Sequence, residues 1–328
     1  MHQSARNVIL VRPTGFGFDP ETAASNDFQQ QMTGVDVGRQ AAEEFDGLLE
    51  ALRRCGVGIT VLDPFDPKAP NGVFPNNWFS TQEDGVVVLY PMCTPSRRAE
   101  RDPDLATTLE REGFRTKQVM DFSGWEHQGT ILEGTGSLVL DRKNKRAFAC
   151  LSPRTTENAL NTWCEQLGYT PIAFTATMDG RINGHPVYHT NVVMSIGERF
   201  AVVCFDAMPY PADRQEVEEE LAKSGKEIIA ISIVQMYKYV GNMLELKGVP
   251  LGQAKGALRP RVERGAGSAQ GDTSYTFLSE TAFHALKPHQ RIALERHTQL
   301  IPVPIPTIEA VGGGSIRCML AENFLPVR

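Results

Sequence analysis

Residues 131–174 read "ILEGTGSLVLDRKNKRAFACLSPRTTENALNTWCEQLGYTPIAF", and this stretch contains the pattern that decides the fold. A polar residue beside glycines precedes a short apolar run, a charged turn and a second apolar run. A loop with Ser and Pro follows, and then a segment with helical spacing of apolar residues and a last apolar run. This order predicts a strand, turn, strand, loop, helix, strand unit of an α/β protein.

The same unit recurs along the chain with its polar signature in the same place. Further copies occupy residues 74–122, 187–231 and 239–305. Residues 7–65 contain a strand, a helix and a returning strand but lack the motif-bearing half, which residues 308–324 supply at the other end of the chain. The two ends of the chain together complete one unit, which predicts five units in a closed ring. Such closure is favourable because it removes exposed sheet edges. The alternative is an α/β sheet without symmetry.

One segment interrupts this pattern. Residues 249–272 lie inside the fourth unit and are rich in Gly, Pro and basic residues. We interpret them as a surface-loop insertion, and the sharper interpretation is a lid or an oligomer contact.

The composition is that of a globular protein with a small neutral or zwitterionic partner. The chain has 328 residues, 41% hydrophobic and 22% charged, with a formal net charge of -6 and a pI near 5.7. This balance argues against nucleic acid or an anionic membrane surface as a partner, because proteins bind such partners through clustered Lys and Arg. The first apolar run is too short for a signal peptide, so we expect a cytoplasmic protein, and a homo-oligomeric state stays open. The six cysteines form no C-x-x-C pair and predict neither a zinc site nor disulfides.

In a ring of such units the polar signatures all face the central axis. The positions concerned are Asn76, Asn77, Glu133, His189, Asn191, Asn242 and residues 312–318, which end at Cys318. A thiol, an imidazole and a carboxylate are the minimum for a cysteine nucleophile whose leaving group needs a proton. Each residue could instead be an ordinary core residue, but its place in the repeat favours a function.

Several motifs resemble the guanidine-group-modifying enzymes, which include arginine deiminases, dimethylarginine hydrolases and arginine amidinotransferases. The motifs cover nearly the whole chain and read FGFDPET, PNNWFST, EGTGSLVLDR, LSPRT, YHTNVVM, GNMLEL and GGGSIRCM. The resemblance is closest to the amidinotransferase-like, citrulline-utilising hydrolases. It implies the pentein five-bladed α/β-propeller, with residues 1–328 as a single catalytic domain. It also implies Cys318 as the nucleophile, His189 as the acid and base, and Glu133 as the carboxylate that holds the substrate's nitrogens.

Two kinds of side chain are candidates for substrate binding. By the same resemblance, Arg154 in SPRT binds the substrate's α-carboxylate, and a second arginine is either Arg97 or Arg98. A guanidinium suits this task because its planar fork meets a carboxylate with two hydrogen bonds. Where arginine deiminases carry aspartates towards the guanidinium, this chain has Asn191 at the first position. The region of PNNWFST offers Asn76, Asn77 and Gln82 for the second, with Asn77 as our candidate. Amides offer a donor and an acceptor to a neutral group, so a ureido group as in citrulline fits better than guanidinium.

The segment before the thiol is predicted to be part of the chain's last strand. Gly312, Gly313 and Gly314 are expected to let the backbone approach the substrate closely, because side chains there would obstruct it.

The mechanism inferred from these residues needs no metal, and we expect no cofactor. His185 and His189 have the H-x-x-x-H spacing of a helical zinc site, but Pro186 and the β-rich residues that follow predict an extended strand. Four residues of strand separate the two rings by roughly 13 Å, which is too far for one ion.

The favoured hypothesis is a cysteine-dependent C–N hydrolase that converts citrulline to ornithine, ammonia and carbon dioxide through a covalent Cys318 intermediate. The enzymatic alternatives are an arginine or methylarginine deiminase and an arginine amidinotransferase. The non-enzymatic alternative is a catalytically silent pentein that binds a ligand, and the presence of all three catalytic residue types argues against it.

Overall fold

The computed structural model describes residues 1–251 and 272–328. In these residues the strands form five sheets of three strands each. In every sheet the central strand pairs antiparallel with one neighbour and parallel with the other. Most of the predicted insertion lies at residues 252–271, outside the described residues, so its interpretation as a loop or lid stays a prediction.

Strands and helices are interspersed along the chain. The strands are β1 (Asn7–Val11), β2 (Gly58–Leu62), β3 (Phe79–Thr81), β4 (Val86–Leu89), β5 (Gln118–Asp121), β6 (Val139–Asp141), β7 (Arg146–Cys150), β8 (Thr170–Phe174), β9 (Met194–Ile196), β10 (Phe200–Val203), β11 (Glu227–Ala230), β12 (Leu244–Gly248), β13 (Thr273–Ser279), β14 (Gln299–Val303) and β15 (Ala321–Asn323). The helices are α1 (Pro20–Ala23), α2 (Val37–Arg54), α3 (Pro95–Arg98), α4 (Leu105–Arg111), α5 (Gly134–Ser137), α6 (Glu157–Leu167), α7 (Thr190–Val193), α8 (Pro211–Lys223), α9 (Ile233–Met236), α10 (Glu280–Ala285), α11 (Pro288–Glu295) and α12 (Ile316–Met319). Three 3₁₀ turns cover Pro75–Asn77, Ser123–Gln128 and Phe205–Ala207, and a π-helical turn covers Ile308–Gly312.

The two ends of the chain build one sheet together, as the repeat predicted. β15 pairs antiparallel with β1, with Asn323 opposite Asn7 and Ala321 opposite Ile9. β1 then pairs parallel with β2. The other four sheets use consecutive strands, from β3 to β5, β6 to β8, β9 to β11, and β12 to β14.

Apolar spacing explains how helices and strands pack. In α2, Ala41, Phe45, Leu48 and Leu52 fall on one face of the helix, and all four are buried. Asp36 caps this helix by accepting a hydrogen bond from the Arg39 N–H, and basic residues close its last turn. The central strands are buried nearly throughout, as the continuous apolar run of β4 illustrates.

A short helical or turn segment precedes the first strand of each sheet. The 3₁₀ turn Pro75–Asn77 comes before β3, α5 before β6, α7 before β9, and α12 before β15. Before β12 the chain turns at residues 239–241, where the Asn242 N–H donates to the Tyr239 carbonyl. The prediction that Cys318 and the residues after His189 lie in extended strands was therefore wrong: both sites are single helical turns. An apolar run of this length is compatible with either conformation, which is why the sequence pattern did not separate them.

Contacts across the middle of the molecule join these first strands. β15 contacts β3, β6 contacts β9, and β9 contacts β12. Among the helices in residues 1–251 and 272–328, none has the length and apolarity to cross a membrane.

The packing of Gly248 offers a test of the contact between the last sheet and the first. A Cβ at this position would overlap the backbone carbonyl oxygen of Cys55, which cannot move aside like a side chain. We expect Gly248→Ala to lower the free energy of unfolding by at least about 2 kcal/mol, because overpacking against backbone is costly. Urea unfolding measures this change.

Gly47→Ala is the matched control. Gly47 lies within α2, and a Cβ there meets no atom within 4 Å. This substitution should raise the free energy of unfolding by roughly 0.5–1 kcal/mol, because alanine is the better helix former. Equal effects of the two substitutions would contradict the close contact at Gly248.

Candidate active site

Two side-chain amides surround the Cys318 thiol. Asn191 Nδ2 lies 3.4 Å and Asn242 Nδ2 lies 3.3 Å from Cys318 Sγ. Asn242 also donates to the Asn191 carbonyl oxygen at 3.0 Å and accepts the N–H of Arg317 at 3.0 Å, so its amide is fixed from both sides. Cys318 itself is 3% exposed. Amide N–H groups directed at sulfur favour the thiolate, which is the nucleophilic form of cysteine.

A buried carboxylate holds the histidine. Glu133 is the residue before α5 and His189 the residue before α7, and His189 Nε2 lies 2.7 Å from Glu133 Oε2. Glu133 Oε2 also lies 3.6 Å from Arg154 NH1, and Glu133 Oε1 accepts the Cys93 N–H at 2.9 Å. The structure thus brings together Glu133 and His189, two of the three residues predicted as catalytic.

The charges of this pair follow from its surroundings. Burial alone would raise the pKa of Glu133, but the Arg154 guanidinium and the hydrogen bond to His189 lower it to about 2. Burial lowers the pKa of His189 to about 4, although Glu133 acts in the opposite direction. At neutral pH the carboxylate is therefore ionised and the imidazole neutral. Since an ionised carboxylate only accepts, Nε2 carries the histidine proton and Nδ1 is the free base.

The basic nitrogen packs against Gly136, close to Asn77. A Cβ at Gly136 would lie 2.8 Å from His189 Nδ1 and would overlap Asn77 Nδ2, so glycine is needed at this position in α5. Asn77 Oδ1 accepts a hydrogen bond from Arg97 at 3.0 Å. Within the described residues, Asn77 Nδ2 and Asn191 Oδ1 are buried without a partner. Asn76 Oδ1 is likewise buried without a partner in the described part of the chain, so the axial asparagines offer one unused donor and two unused acceptors.

The predicted carboxylate-binding arginines lie in three different environments. Arg154 donates to the Thr22 carbonyl at 2.9 Å and to Ser25 Oγ at 2.7 Å, and its guanidinium lies 5.0 Å from the centre of the Tyr188 ring. It thereby ties the loop around α1 to Glu133, its neighbour in the ion pair.

Arg97 and Arg98 lie side by side in α3 but differ in burial. Arg97 is 3% exposed and lies 2.6 Å from Glu100, whose pKa burial raises to about 7. Arg98 is partly exposed and donates to the backbone carbonyls of Met92 and Cys93. Arg97 is thus the one in contact with Asn77. Carboxylate binding by any of the three arginines stays a prediction.

The glycines before the thiol have packing reasons of their own. A Cβ at Gly312 would meet the Phe74 ring at 2.7 Å, and one at Gly314 would lie 3.0 Å from the same ring. Gly313 has a φ of +64°, and its carbonyl accepts hydrogen bonds from Tyr188 at 2.6 Å and Asn26 at 3.2 Å. Their approach to a substrate stays a prediction.

Sequence reasoning missed several residues that shape the site. Asn242 was recognised as axial but was given no role, and Asn26, Tyr188 and the N–H of Cys93 were not singled out. The only signal for Asn242 was its place in the repeat. Asn26 and Cys93 lie in loops, where no periodicity marks an inward residue.

The two histidines of the H-x-x-x-H motif have different partners. His185 Nδ1 lies 2.8 Å from Asp27 at the surface, whereas His189 is buried against Glu133. No cluster of three or more His, Cys, Asp or Glu side chains suited to a metal ion occurs in the described part of the chain.

A fold of five mixed sheets with this site belongs to the guanidine-modifying enzymes of the pentein superfamily. The family described as "N,N dimethylarginine dimethylhydrolase, eukaryotic" matches residues 12–325, and the chain belongs to that family. The resemblance of the sequence to the guanidine-group-modifying enzymes is confirmed, and the family to which the chain belongs is an enzyme family whose name describes a hydrolase. A search of curated proteins found no match.

Solved structures share the fold at low sequence identity. The N-terminal domain of ArgZ, an arginine dihydrolase from the ornithine–ammonia cycle in Cyanobacteria, is 13% identical with a TM-score of 0.69, and 96% of each chain is covered. Against the whole ArgZ chain, this protein spans 40% of the length, at 14% identity and TM-score 0.69 over 96% of its own residues. A DDAH mutant from Pseudomonas aeruginosa complexed with citrulline is 15% identical with a TM-score of 0.60, covering 98% of this chain and 100% of that one.

The state of His189 predicts how stability depends on pH. An unfolded histidine titrates near about 6.5, so between that pH and 4 the unfolded chain binds a proton that the folded chain does not. Stability therefore falls as the pH drops through this window. We expect His189→Asn to remove this contribution, so that urea unfolding at pH 7 and pH 5 shows a smaller loss of stability than in the wild type.

Tyr188→Phe serves as the control, since it removes a buried hydroxyl beside His189 and adds no group that titrates in this window. It should lower the free energy of unfolding by a similar amount at both pH values. A pH-dependent loss in His189→Asn as steep as in the wild type would contradict a buried neutral imidazole.

Proposed function

We propose that the protein is a cysteine-dependent hydrolase that converts citrulline to ornithine, ammonia and carbon dioxide. The observation that carries this proposal is the pair of unused amide groups, Asn77 Nδ2 and Asn191 Oδ1. A ureido group presents a carbonyl acceptor and N–H donors, so it can use both.

The charge of the site supports a neutral substrate group. Among the contacts of the described residues, Glu133 already has Arg154 as its ion-pair partner and His189 as its hydrogen-bond donor. A guanidinium would bring a third positive charge to a site that already contains Arg154 and Arg97, and it would meet amides in place of carboxylates. A buried charge without a counter-charge is costly, whereas a neutral ureido group avoids this cost.

The structural relatives are consistent with arginine-like substrates. ArgZ is an arginine dihydrolase, and the DDAH mutant was solved in complex with citrulline. We therefore retain arginine or methylarginine deiminase and arginine amidinotransferase as the competing outcomes of the assay.

The proposed first step is attack of Cys318 Sγ on the ureido carbon, with the thiol proton passing to Nδ1 of neutral His189. The bond between this carbon and the side-chain nitrogen then breaks, His189 returns the proton to that nitrogen, and ornithine leaves. The enzyme retains an S-carbamoyl group on Cys318.

The second step is hydrolysis of this intermediate. His189 takes a proton from water, the resulting hydroxide attacks the carbamoyl carbon, and the carbon–sulfur bond breaks. The protonated His189 then returns its proton to the Cys318 thiolate, which restores the starting thiol and the neutral imidazole. Carbamic acid leaves and decomposes to carbon dioxide and ammonia. Asn191 and Asn242 stabilise the thiolate that departs, since their N–H groups lie within reach of sulfur.

We also propose that the five sheets close into a five-bladed propeller and that residues 1–328 form one catalytic domain. The contacts of β15 with β3, β6 with β9 and β9 with β12 support closure. The hydrogen bond from the Lys247 N–H to the Ala5 carbonyl also supports it, because it joins the last sheet to the segment before β1.

Turnover assays test the reaction. The protein is incubated with citrulline, arginine or agmatine, and ornithine, citrulline and ammonia are followed. We expect ornithine and ammonia from citrulline, and a loss of at least about 10³-fold in kcat for Cys318→Ala, because removal of a nucleophile leaves only binding and oxyanion stabilisation. Calorimetry should show that Cys318→Ala still binds citrulline. Ornithine formed from arginine alone would overturn the citrulline assignment, and no turnover of any substrate would overturn the hydrolase.

Asn77→Asp tests the preference for a neutral group. A carboxylate beside the substrate should favour guanidinium, so the ratio of kcat/KM for arginine to that for citrulline should rise by at least about tenfold, equivalent to roughly 1.4 kcal/mol. Asn158→Asp makes the same substitution on the exposed face of α6 and should leave the ratio unchanged. A ratio in Asn77→Asp equal to that of the wild type would exclude Asn77 as a specificity residue.

A further inference from the structure

The residue directly before the thiol is a buried cation. Arg317 is 7% exposed and lies with Cys318 in the four-residue helix α12. Its backbone N–H donates to the Oδ1 of Asn242, and Asn242 Nδ2 contacts Cys318 Sγ. A small cavity of about 20 Å³ is lined jointly by Arg317 and by Asn191, the second amide at the sulfur. Arg317 thus contacts one of the two amides at the thiol through its backbone and lines a cavity together with the other.

The guanidinium is held by one carboxylate that it shares with another arginine. Arg317 donates to Glu322 Oε2 at 3.0 Å and to the Leu320 carbonyl at 2.9 Å. Arg142 lies 3.4 Å from the same carboxylate oxygen and is also buried. Two guanidinium groups on one carboxylate give these three residues a net charge of +1, on the inner side of β15.

Two phenols and an imidazole near the thiol carry no charge. Tyr188 donates to the Gly313 carbonyl and Tyr239 donates to the Glu309 carbonyl, and burial raises the pKa of both phenols, so both stay neutral. His189 is neutral as well, because burial lowers its pKa to about 4.

We propose that Arg317 is a positioning residue for the reaction of Cys318: its backbone fixes Asn242 against the sulfur, and its buried charge, moderated by Glu322, stabilises the thiolate. This assignment rests on the proposed role of Cys318 as nucleophile. The physical reason is that charges interact strongly where water is excluded, so a cation on the adjacent residue favours the anionic form of the thiol. Burial lowers the pKa of Arg317, while the charges of Glu322 and Cys318 act to raise it, which is consistent with this coupling.

Substitution of the two partners of the ion pair should shift the pKa of the Cys318 thiol in opposite directions. Arg317→Gln removes the cation and should raise the apparent pKa of Cys318 by one unit or more. At a pH below the thiol pKa, the variant should then have a thiolate fraction about tenfold lower than the wild type. Glu322→Gln removes the anion that moderates the cation and should lower the apparent pKa of the thiol. A purely structural role would disturb the site in both variants and move the thiol pKa in the same direction.

The experiment measures alkylation of Cys318 by iodoacetamide as a function of pH, with the modified peptide quantified by mass spectrometry so that other cysteines do not contribute. Arg317→Lys keeps the charge and should retain the profile of the wild type. Arg142→Lys is the control at the other arginine that contacts Glu322, and it should also leave the profile unchanged. Circular dichroism and urea unfolding establish that each variant is folded.

The outcomes separate this proposal from the proposed reaction. Alkylation needs no substrate, so the profile tests Arg317 even when citrulline is not turned over. Shifts of opposite sign in Arg317→Gln and Glu322→Gln support the proposal. Shifts of the same sign, or an unchanged profile in folded Arg317→Gln, overturn it. When Arg317→Gln does not fold, Glu322→Gln decides alone: a lowered thiol pKa supports the proposal, and an unchanged or raised one overturns it.

Discussion

The ionised carboxylate of Glu133 is the constraint on which the site depends. It has no exposure to solvent, and it accepts hydrogen bonds from the Cys93 N–H and from His189 while Arg154 lies 3.6 Å away. These partners come from three different sheets or their connecting loops. A buried charge that loses one such partner costs about 3–5 kcal/mol, so the carboxylate makes the positions of its neighbours interdependent. Arg154 extends this dependence to the loop around α1 through its hydrogen bonds to Thr22 and Ser25.

The same ion pair sets the chemistry of the site. Because Arg154 compensates the charge of Glu133, His189 can stay neutral beside a carboxylate, with its proton on Nε2 and its base at Nδ1. The thiol receives its stabilisation from elsewhere, namely from the amides of Asn191 and Asn242. In the proposed mechanism, proton transfer and thiolate stabilisation therefore belong to separate groups. Each of these groups is fixed before a substrate arrives, which is the arrangement that lowers the reorganisation needed in the transition state.

The repeat predicted most of the fold, and the residues of the site followed from it. Strand-forming runs and the amphipathic segment of α2 show in the local sequence, and the pairing of β15 with β1 follows from the incomplete units at the two ends. Sequence reasoning did not find the helical turn after His189 or the one that contains Cys318, because four residues are too few for apolar spacing to separate a helical turn from a strand. It also did not show that Arg154 lies against Glu133. Such a contact depends on packing between residues distant in sequence, which no local pattern encodes.

The long separation along the chain between β1 and β15 has a physical consequence for folding. Cys318 reaches its amides only when α12 meets Asn242 and Asn191, and β15 that follows it must pair with β1, more than 300 residues away in the chain. Closing a loop of this length carries an entropic cost that must be met before the contacts form, so contacts of this kind are expected to form late. The buried arginine and the amides at the sulfur are assembled by the same event, since Arg317 lies in α12 and its partner Glu322 in β15. A chain that has not closed its first sheet thus has the thiol but lacks the groups that would favour the thiolate.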